Sequence, residues 1–322
     1  MKNILFCLLF FLLYSCGKDL ENSSNGKIPR IVVTYRSASH IVAALDMQKY
    51  LVGVHNKTDT IPLFKELRHD IGSLPVVGDK MAGLNLETLL RLDPTFVILY
   101  PNNIGFQTQK RLESLKISSE VIHVESLKQI QDSVAKIAKQ LGAEEKAKIV
   151  IEEMERVCHL LAEHTSGIKE SQKLSLYLSS SVSFFNTHSH EMLQHEMITK
   201  SGLKDASSLV YGGWSNISAE QLMAWNPDII VISGSAPFSV ESVLNHPRLA
   251  GLKAVQKKKV YRMPESRIAV WDFPGPDVVL GMLWLAHLAY PENFKNFLLE
   301  KELENYYRKI YNVSYKKIIE KY

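Results

Sequence analysis

The stretch LETLLRLDPTFVIL, residues 86–99, occurs a second time in altered form as AEQLMAWNPDIIVI, residues 219–232. The two copies align without gaps at a constant offset of 133 residues, so that Glu87 matches Glu220. Each copy has the pattern of a short helix, an Asx-Pro turn that ends it, and a buried strand. A unit that occurs twice in this way predicts two lobes that are built alike.

On either side of these copies, apolar runs of strand length alternate with helical stretches. The strands predicted in this way are residues 31–35, 51–55, 95–100, 120–124, 173–179, 228–233 and 259–263. Such alternation is typical of mostly parallel sheets that are covered by helices. The predicted fold class is therefore α/β, with two βα lobes.

A helical stretch without proline separates the two lobes. Residues 143–164 (AEEKAKIVIEEMERVCHLLAEH) carry apolar side chains on one face and Glu or Lys on the other. A helix of this length would be about 33 Å long, which is enough to join two small domains. We therefore predict an N-terminal lobe at residues 30–141, a backbone helix at 142–166 and a C-terminal lobe at 167–322.

The N-terminus has the features of an export signal. Lys2 precedes an unbroken apolar run at residues 4–14, which is short of the roughly 20 residues that cross a bilayer but suits a signal peptide. The run ends in LYSCG, which resembles the lipobox of bacterial lipoproteins and implies a lipid on Cys16. We expect a signal peptide at 1–15, a lipidated flexible linker at 16–29 and an exported protein that only this lipid holds to a membrane. The alternative is a plain secretory signal with an incidental cysteine.

Composition narrows the function further. The formal net charge is +4 over 322 residues, and no basic patch with interleaved aromatics occurs, which argues against a nucleic-acid partner. Of three cysteines, only Cys158 lies beyond the signal and the lipidation site, so we expect no internal disulfide. No G-x-S-x-G, H-E-x-x-H or paired-cysteine motif is present. We therefore predict a monomer without enzymatic activity or intrinsic cofactor, and an exported hydrolase stays a remote alternative.

A second sequence signal joins the paired repeat. Residues 246–256 (HPRLAGLKAVQ) precede a Lys-rich turn and Val260-Tyr261. Together with the repeat, this pattern resembles the class III substrate-binding proteins of ABC importers, which carry ferric siderophores, haem, cobalamin and some metals or oxyanions. The resemblance covers residues 30–312 and implies a rigid helical backbone, with the ligand held in a cleft between the lobes.

The resemblance also implies the partners. An ABC permease and its ATPase would receive the cargo, which we predict to be a metal chelate such as a ferric siderophore, haem or cobalamin. A nickel complex or a molybdate-type oxyanion is the alternative. In this family, acidic residues at the positions of Glu87 and Glu220 dock onto arginines of the permease. The alternative for both is an ordinary acid that the dipole favours at a helix N-terminus.

Cleft residues are expected on loops at the carboxyl ends of the strands. Aromatic side chains suit a flat organic chelate, and arginines suit carboxylate, phosphate or catecholate oxygens. The predicted cleft residues are Tyr35, Arg36, Tyr100, Tyr211, Trp214, Arg267 and Trp271. For Trp271 the alternative is a packing role, in which it fixes the apolar helix that follows it to the sheet.

Two histidines in the second lobe form an H-x-H pair. His188 and His190 have the chemistry to bind a transition metal or to fill an open position of a metal chelate. The alternative is a solvated loop that caps a helix beginning near Glu191. His195 is a weaker candidate because it falls inside that helix.

Overall fold

The computed structural model describes residues 28–79, 83–264 and 271–322. The predicted signal peptide, Cys16 and most of the linker lie outside these residues, and so does Arg267. Within the described ranges, no helix combines the length and the apolar character that crossing a bilayer requires.

The described chain alternates between strands and helices in both halves. The strands are β1 (Ile31–Val33), β2 (Leu51–His55), β3 (Val76–Asp79), β4 (Gly83–Leu84), β5 (Phe96–Leu99), β6 (Ser118–Val121), β7 (Ser175–Ser179), β8 (Asn186–Thr187), β9 (Lys204–Asp205), β10 (Ser215–Asn216), β11 (Ile229–Ile232) and β12 (Val260–Arg262). The α-helices are α1 (Arg36–Ala44), α2 (Pro62–Leu67), α3 (Leu86–Arg91), α4 (Asn103–Ser114), α5 (Leu127–Leu141), α6 (Glu144–Thr165), α7 (Leu193–Lys200), α8 (Ala219–Trp225), α9 (Val240–Leu244), α10 (Lys253–Gln256), α11 (Val278–Ala289), α12 (Leu299–Tyr311) and α13 (Tyr315–Lys321).

Two sheets form, one in each half of the chain. The first has the order β4-β3-β2-β1-β5-β6, and the second has the order β10-β8-β7-β11-β12 with β9 paired to β7. In the first sheet only β3 and β4 pair antiparallel. In the second, β7, β9, β11 and β12 are parallel, whereas β8 runs antiparallel to its neighbours β7 and β10. The predicted α/β fold with two mostly parallel sheets is confirmed.

Both copies of the repeated unit fold as a helix, a turn and a strand. Asn85 caps α3 by accepting a hydrogen bond from the Thr88 amide, and Ser218 caps α8 in the same way. β5 and β11 are buried along their whole length. The predicted strand at 120–124 is displaced, since β6 covers Ser118–Val121.

The long helix α6 packs against α5, α11 and α12. Its buried face contains one charged residue, Glu153, which accepts hydrogen bonds from Arg156 (Nη2 to Oε1, 2.7 Å) and from Lys309 of α12 (Nζ to Oε2, 2.6 Å). Burial acts to raise the pKa of Glu153, but these two cations outweigh it and lower the pKa. Removing either cation would leave a buried charge poorly compensated, so the pair fixes α12 to α6.

The two C-terminal helices return to the first lobe. α12 packs on α1 as well as on α6, and α13 packs on α2. Lys321 at the end of α13 donates to Glu66 of α2 (Nζ to Oε2, 2.7 Å). The sequence assigns residues 167–322 to the C-terminal lobe, whereas the last part of that range also contacts the N-terminal one.

Candidate functional site

The segment 271–277 lies between the two lobes. It follows β12 in the chain and leads into α11. Phe273 contacts Arg36 at the start of α1, and Gly275 lies so close to His40 of α1 that an added Cβ would be 3.3 Å from the His40 Cβ. On the other side, the Asp272 carbonyl accepts a hydrogen bond from Gln194 of α7 (3.0 Å). This segment therefore brings the carboxyl end of β1 next to the second lobe.

Arg36 is the cation at this junction. Its side chain is half-buried, and its guanidinium carbon lies 4.8 Å from the centre of the Phe273 ring, within the range of a cation–π contact. Burial lowers the pKa of Arg36 and the nearby Asp272 carboxylate raises it, yet an arginine stays charged at any physiological pH. Among the residues that the structure describes, no acceptor forms a hydrogen bond with this guanidinium.

Asp272 and Gln194 leave polar atoms unpaired beside it. Within the described chain, neither Oδ1 of Asp272 nor Oε1 of Gln194 has a hydrogen-bond partner, although both atoms are buried. Burial raises the pKa of Asp272, against the opposing effects of Ser233, the backbone and Arg36. Buried polar atoms in native proteins are nearly always paired with protein, water or ligand. The two oxygens are therefore acceptors that a donor from water or from a ligand would satisfy.

Tyr35 and Tyr100 form the first-lobe side of the site. Tyr35 directly precedes α1, and its hydroxyl donates to the Ile122 carbonyl (3.2 Å) while its ring meets Tyr100 edge-on at 5.1 Å. Burial raises the pKa of Tyr35 well above its usual value, and Tyr100 and Glu125 add to this effect. Tyr35 is therefore neutral, and its hydroxyl already donates a hydrogen bond within the protein. The ring of Tyr100 is the more accessible of the two.

A small recess adjoins Tyr100. Its volume is about 30 Å³, which is enough to admit water. It is lined by Thr34, Gly83, Leu84, Leu99, Tyr100, Asn102, Ile104 and Gly105.

Trp271 is buried rather than exposed at the cleft. Only 2% of its surface is exposed, and its Nε1 donates to the Tyr307 hydroxyl of α12 (3.1 Å). This position does not support the predicted ligand contact, because the ring has almost no surface to offer. It agrees with the alternative packing role, extended to the C-terminal helices.

Asp277 lies beneath Trp271 at the start of α11. Its carboxyl group accepts from the hydroxyls of Tyr311 (2.6 Å) and Tyr307 (3.3 Å). Burial raises the pKa of Asp277 to about 7, although the two hydroxyls act to lower it. His40 Nδ1 lies 4.0 Å away, but burial lowers the pKa of His40 to about 3, assisted by Arg36 and His55. His40 is therefore neutral, and no ion pair forms between the two at neutral pH.

The loop after β7 differs from the predicted cleft loop. Strand β8 turns the chain back antiparallel to β7, so that Thr187 lies opposite Ser179 and its Oγ1 donates to the Leu178 carbonyl (2.8 Å). His188 follows directly and is fully buried against Asp205. This position does not support the predicted contact of His188 with metal or chelate, because no part of the ring reaches solvent.

The other predicted residues of this region lie nearer the surface. His190 is half-buried and packs against Tyr211, with 4.6 Å between ring centres. Tyr211 is 66% exposed and Trp214 is 40% exposed, with the Trp214 ring facing His188 edge-on at 6.5 Å. Within the described residues, no cluster of three or more His, Cys, Asp or Glu side chains is suited to hold a metal ion.

The paired acids Glu87 and Glu220 are both exposed, in the first turns of α3 and α8. Glu220 forms an ion pair with Arg248 (Oε1 to Nη2, 2.6 Å). The pKa of Glu220 is lowered to about 2 by hydrogen bonds from its own backbone amide, Arg248 and Ser218. In the described chain, Glu87 forms no ion pair.

Sequence reasoning missed Asp272, Phe273, Gln194 and the anchoring residue Asp277. The signal for three of these was the acidic and aromatic content of residues 271–277, just before an apolar helix. Gln194 had no signal, because its role depends on packing between α7 and a segment that follows much later in the chain.

Comparison with known proteins shows the family to which the chain belongs. A protein-family model described as "Periplasmic binding protein" matches residues 31–266. The chain therefore belongs to the periplasmic binding protein family, and the predicted class, the class III substrate-binding proteins of ABC importers, is confirmed. As a member of this family it is an exported protein.

Individual relatives resemble nearly the whole chain. The chain is 25% identical to the molybdate-binding protein MolA of Haemophilus influenzae, over 98% of its own length and 98% of that protein's. The structure of H. influenzae MolA bound to molybdate matches with a TM-score of 0.77 and 22% identity, over 90% of this chain and 95% of that one. Helicobacter pylori CeuE in a Ni-His complex gives a TM-score of 0.77 and 23% identity, over 91% and 93% of the two chains.

Proposed function

We propose that this protein is a lipid-anchored receptor that captures a metal chelate with anionic oxygens in the cleft between its lobes and delivers it to an ABC permease. The observation that carries the proposal is Arg36. A half-buried guanidinium without a hydrogen-bond acceptor among the described residues lies where the two lobes meet. Anionic oxygens such as those of catecholates, carboxylates or oxyanions match its planar set of donors.

Aromatic rings support a chelate as the cargo. Phe273 and Tyr100 flank the Arg36 end of the cleft, and the more exposed Tyr211 and Trp214 lie in the second lobe. Rings of this kind suit the organic part of a siderophore, a haem or a corrinoid.

A molybdate-type oxyanion is the second candidate. The alignment with a molybdate-binding protein over 98% of both chains favours it. Both candidates present negatively charged oxygen to Arg36, so binding experiments have to separate them.

The test is a titration of the full-length protein in detergent with each candidate cargo. Ferric catecholate, haem, cyanocobalamin, a nickel–histidine complex and molybdate would be compared by calorimetry and tryptophan fluorescence. Arg36→Met keeps the apolar stem but removes the charge. Loss of hydrogen bonds from a charged group costs about 1.5–3 kcal/mol, so the affinity for the true cargo should fall roughly 10- to 150-fold.

Arg111→Met is the matched control, because Arg111 is an exposed arginine on α4 away from the junction. It should bind like the wild type. If Arg36→Met binds every cargo with unchanged affinity, Arg36 is not the anion-binding group. If the wild type binds a sugar or an amino acid and none of these cargoes, the proposed cargo class is wrong.

Docking to the permease and lipid anchoring complete the proposal. Glu87 and Glu220 would each place one exposed carboxylate against the permease, where such charges steer and orient a complex more than they strengthen it. A lipid on Cys16 and the linker behind it would keep the receptor near the permease and raise its effective concentration there. Cys16→Ala should move the protein from the membrane fraction to the soluble fraction, and unchanged membrane association would contradict the anchor.

A further inference from the structure

Three imidazoles between residues 188 and 195 have different surroundings. Nε2 of His188 lies 3.0 Å from Asp205 Oδ2 and 3.2 Å from Ser207 Oγ, and its Nδ1 lies 3.4 Å from Thr187 Oγ1. Both ring nitrogens of His188 therefore face protein partners, and neither is available to an external ligand.

His195 on α7 is held by the same carboxylate at one nitrogen only. Its Nδ1 lies 2.8 Å from Asp205 Oδ2. The same carboxylate group also accepts hydrogen bonds from His188 and from Ser207 Oγ (2.7 Å). An ionised carboxylate can only accept, so Nδ1 of His195 carries the hydrogen and the neutral ring has its lone pair on Nε2.

In His190 the Nδ1 nitrogen is also held by the protein, here by a backbone carbonyl. Its Nδ1 lies 3.1 Å from the Val210 carbonyl oxygen, which can only accept, so the lone pair of the neutral ring is again on Nε2. Within the described ranges, neither Nε2 has a hydrogen-bond partner. Histidines that bind metals usually hold their second nitrogen in this way, against a carboxylate or a backbone carbonyl.

The spacing of the two rings allows one ion between them. Their centres are 6.4 Å apart and their planes are nearly perpendicular at 87°. With metal–nitrogen distances of about 2.0–2.1 Å, two ring centres lie roughly 5 Å apart across a tetrahedral ion and roughly 6.4 Å apart when the two nitrogens are trans. The observed spacing therefore fits trans positions of a square-planar or octahedral ion. Both rings are partly exposed, so an ion can enter from solvent.

We propose that His190 and His195 bind a divalent transition-metal ion such as Ni²⁺ or Cu²⁺ through their Nε2 nitrogens. Imidazole nitrogen suits these metals. Water or another molecule would fill the remaining positions, because the described residues include no larger metal-binding cluster. The site differs from the predicted H-x-H pair, since His195 takes the place of the buried His188, and it does not depend on the identity of the cargo.

The test is a titration of the full-length protein, made without a polyhistidine tag, with Ni²⁺ by calorimetry near neutral pH. His190→Gln and His195→Gln each keep an amide that can donate to Val210 or Asp205 but remove the metal-binding nitrogen. Each variant should bind Ni²⁺ at least tenfold more weakly than the wild type. His159→Gln is the matched control, because His159 is exposed on α6, and its affinity should not change.

Circular dichroism would show that the glutamine variants are folded before they are compared. Pulsed electron paramagnetic resonance of the Cu²⁺-loaded wild type should show two coordinated imidazoles, and one in either glutamine variant. Wild-type affinity in either glutamine variant, or a single imidazole in the wild type, would overturn the two-histidine site.

Discussion

The loops that follow β5 and β11 begin at equivalent positions of the two repeat copies. Different side-chain hydrogen bonds stabilise the two loops. After β5, Asn102 caps α4 by accepting from the Gly105 amide (2.8 Å). After β11, the guanidinium of Arg262 donates to carbonyls along residues 233–238, including those of Gly234 (3.2 Å) and Ala236 (2.9 Å). The repeated unit supplies the same scaffold to both lobes, and the loops that follow it are where the lobes differ.

The outer ends of the two units differ as well. Glu220 is paired with Arg248, whereas Glu87 forms no ion pair within the described residues. An exposed pair of this kind contributes little to stability, but it changes what a docking partner meets. The first lobe presents a carboxylate without an ion-pair partner among the described residues, and the second presents a carboxylate already paired with a guanidinium.

The largest expected effect comes from reversing both charges. Glu87→Lys together with Glu220→Lys should abolish cargo uptake in cells, because each lobe would then present a cation to the arginines predicted on the permease. Cargo affinity of the purified double variant should stay at the wild-type value. A loss of affinity would place these residues in the cleft instead of at the permease.

The single variants compare the two lobes. Glu87→Ala should reduce uptake more than Glu220→Ala, because Arg248 already competes for the second carboxylate. Arg248→Ala should remove that difference. Equal losses in the two single variants, with or without Arg248, would show that the ion pair has no influence on docking.

The junction between the lobes gives the next largest effect, through Asp277. Because its pKa is raised to about 7 in the folded protein, the fold binds more protons than the unfolded chain, and stability from this group is lost as pH rises through 7. Asp277→Asn cannot ionise. Relative to the wild type, it should therefore be more stable at pH 8 than at pH 4, by about 4 kcal/mol.

Chemical denaturation of both proteins at pH 4, 6 and 8 measures this difference. Tyr311 can still donate to the asparagine oxygen, so the variant keeps the shape of the cluster. A difference between wild type and variant that does not change with pH would show that Asp277 titrates near its ordinary value.

The two loops can be compared by removing what holds each one. Arg262→Met should lower the free energy of unfolding by about 2–3 kcal/mol, because four loop carbonyls lose a charged donor. Asn102→Ala removes one helix cap and should cost about 1 kcal/mol. Denaturant unfolding measures both values. The reverse order would mean that the second loop does not depend on Arg262.

The smallest effect tests the turn itself. Asp93 and Asn226 both have left-handed backbone angles, with φ of 44° and 43°. Asp93→Gly should stabilise the protein by about 0.5–1 kcal/mol, because glycine adopts this conformation without strain. Asn226→Gly should give a smaller gain in stability or none, because it also removes the hydrogen bond that Asn226 Oδ1 accepts from the Lys253 amide (2.9 Å). Thermal unfolding would separate the two, and an equal gain in both copies would show that this bond is worth nothing.

The scaffold was predictable from sequence because it depends on local patterns. Apolar runs, the Asx-Pro turns and the repeat led to the two sheets. The junction was less accessible, since Arg36 was a candidate from its position after β1 but its contact with Phe273 joins residues far apart in the chain. The burial of His188 was not predictable either, because two residues of β8 are too short a strand to show a period, and they reverse the direction of the loop.

Three stretches of chain connect the lobes: α6, residues 271–277, and the returning helices α12 and α13. A body joined in three places cannot swing open widely without separating contacts such as that between Arg36 and Phe273. Closure of the cleft then costs little of the free energy of cargo binding. The outer faces also keep nearly the same shape whether or not the cleft holds cargo. Empty receptors would therefore compete with loaded ones for the permease, and uptake would slow when receptors outnumber both permease and cargo.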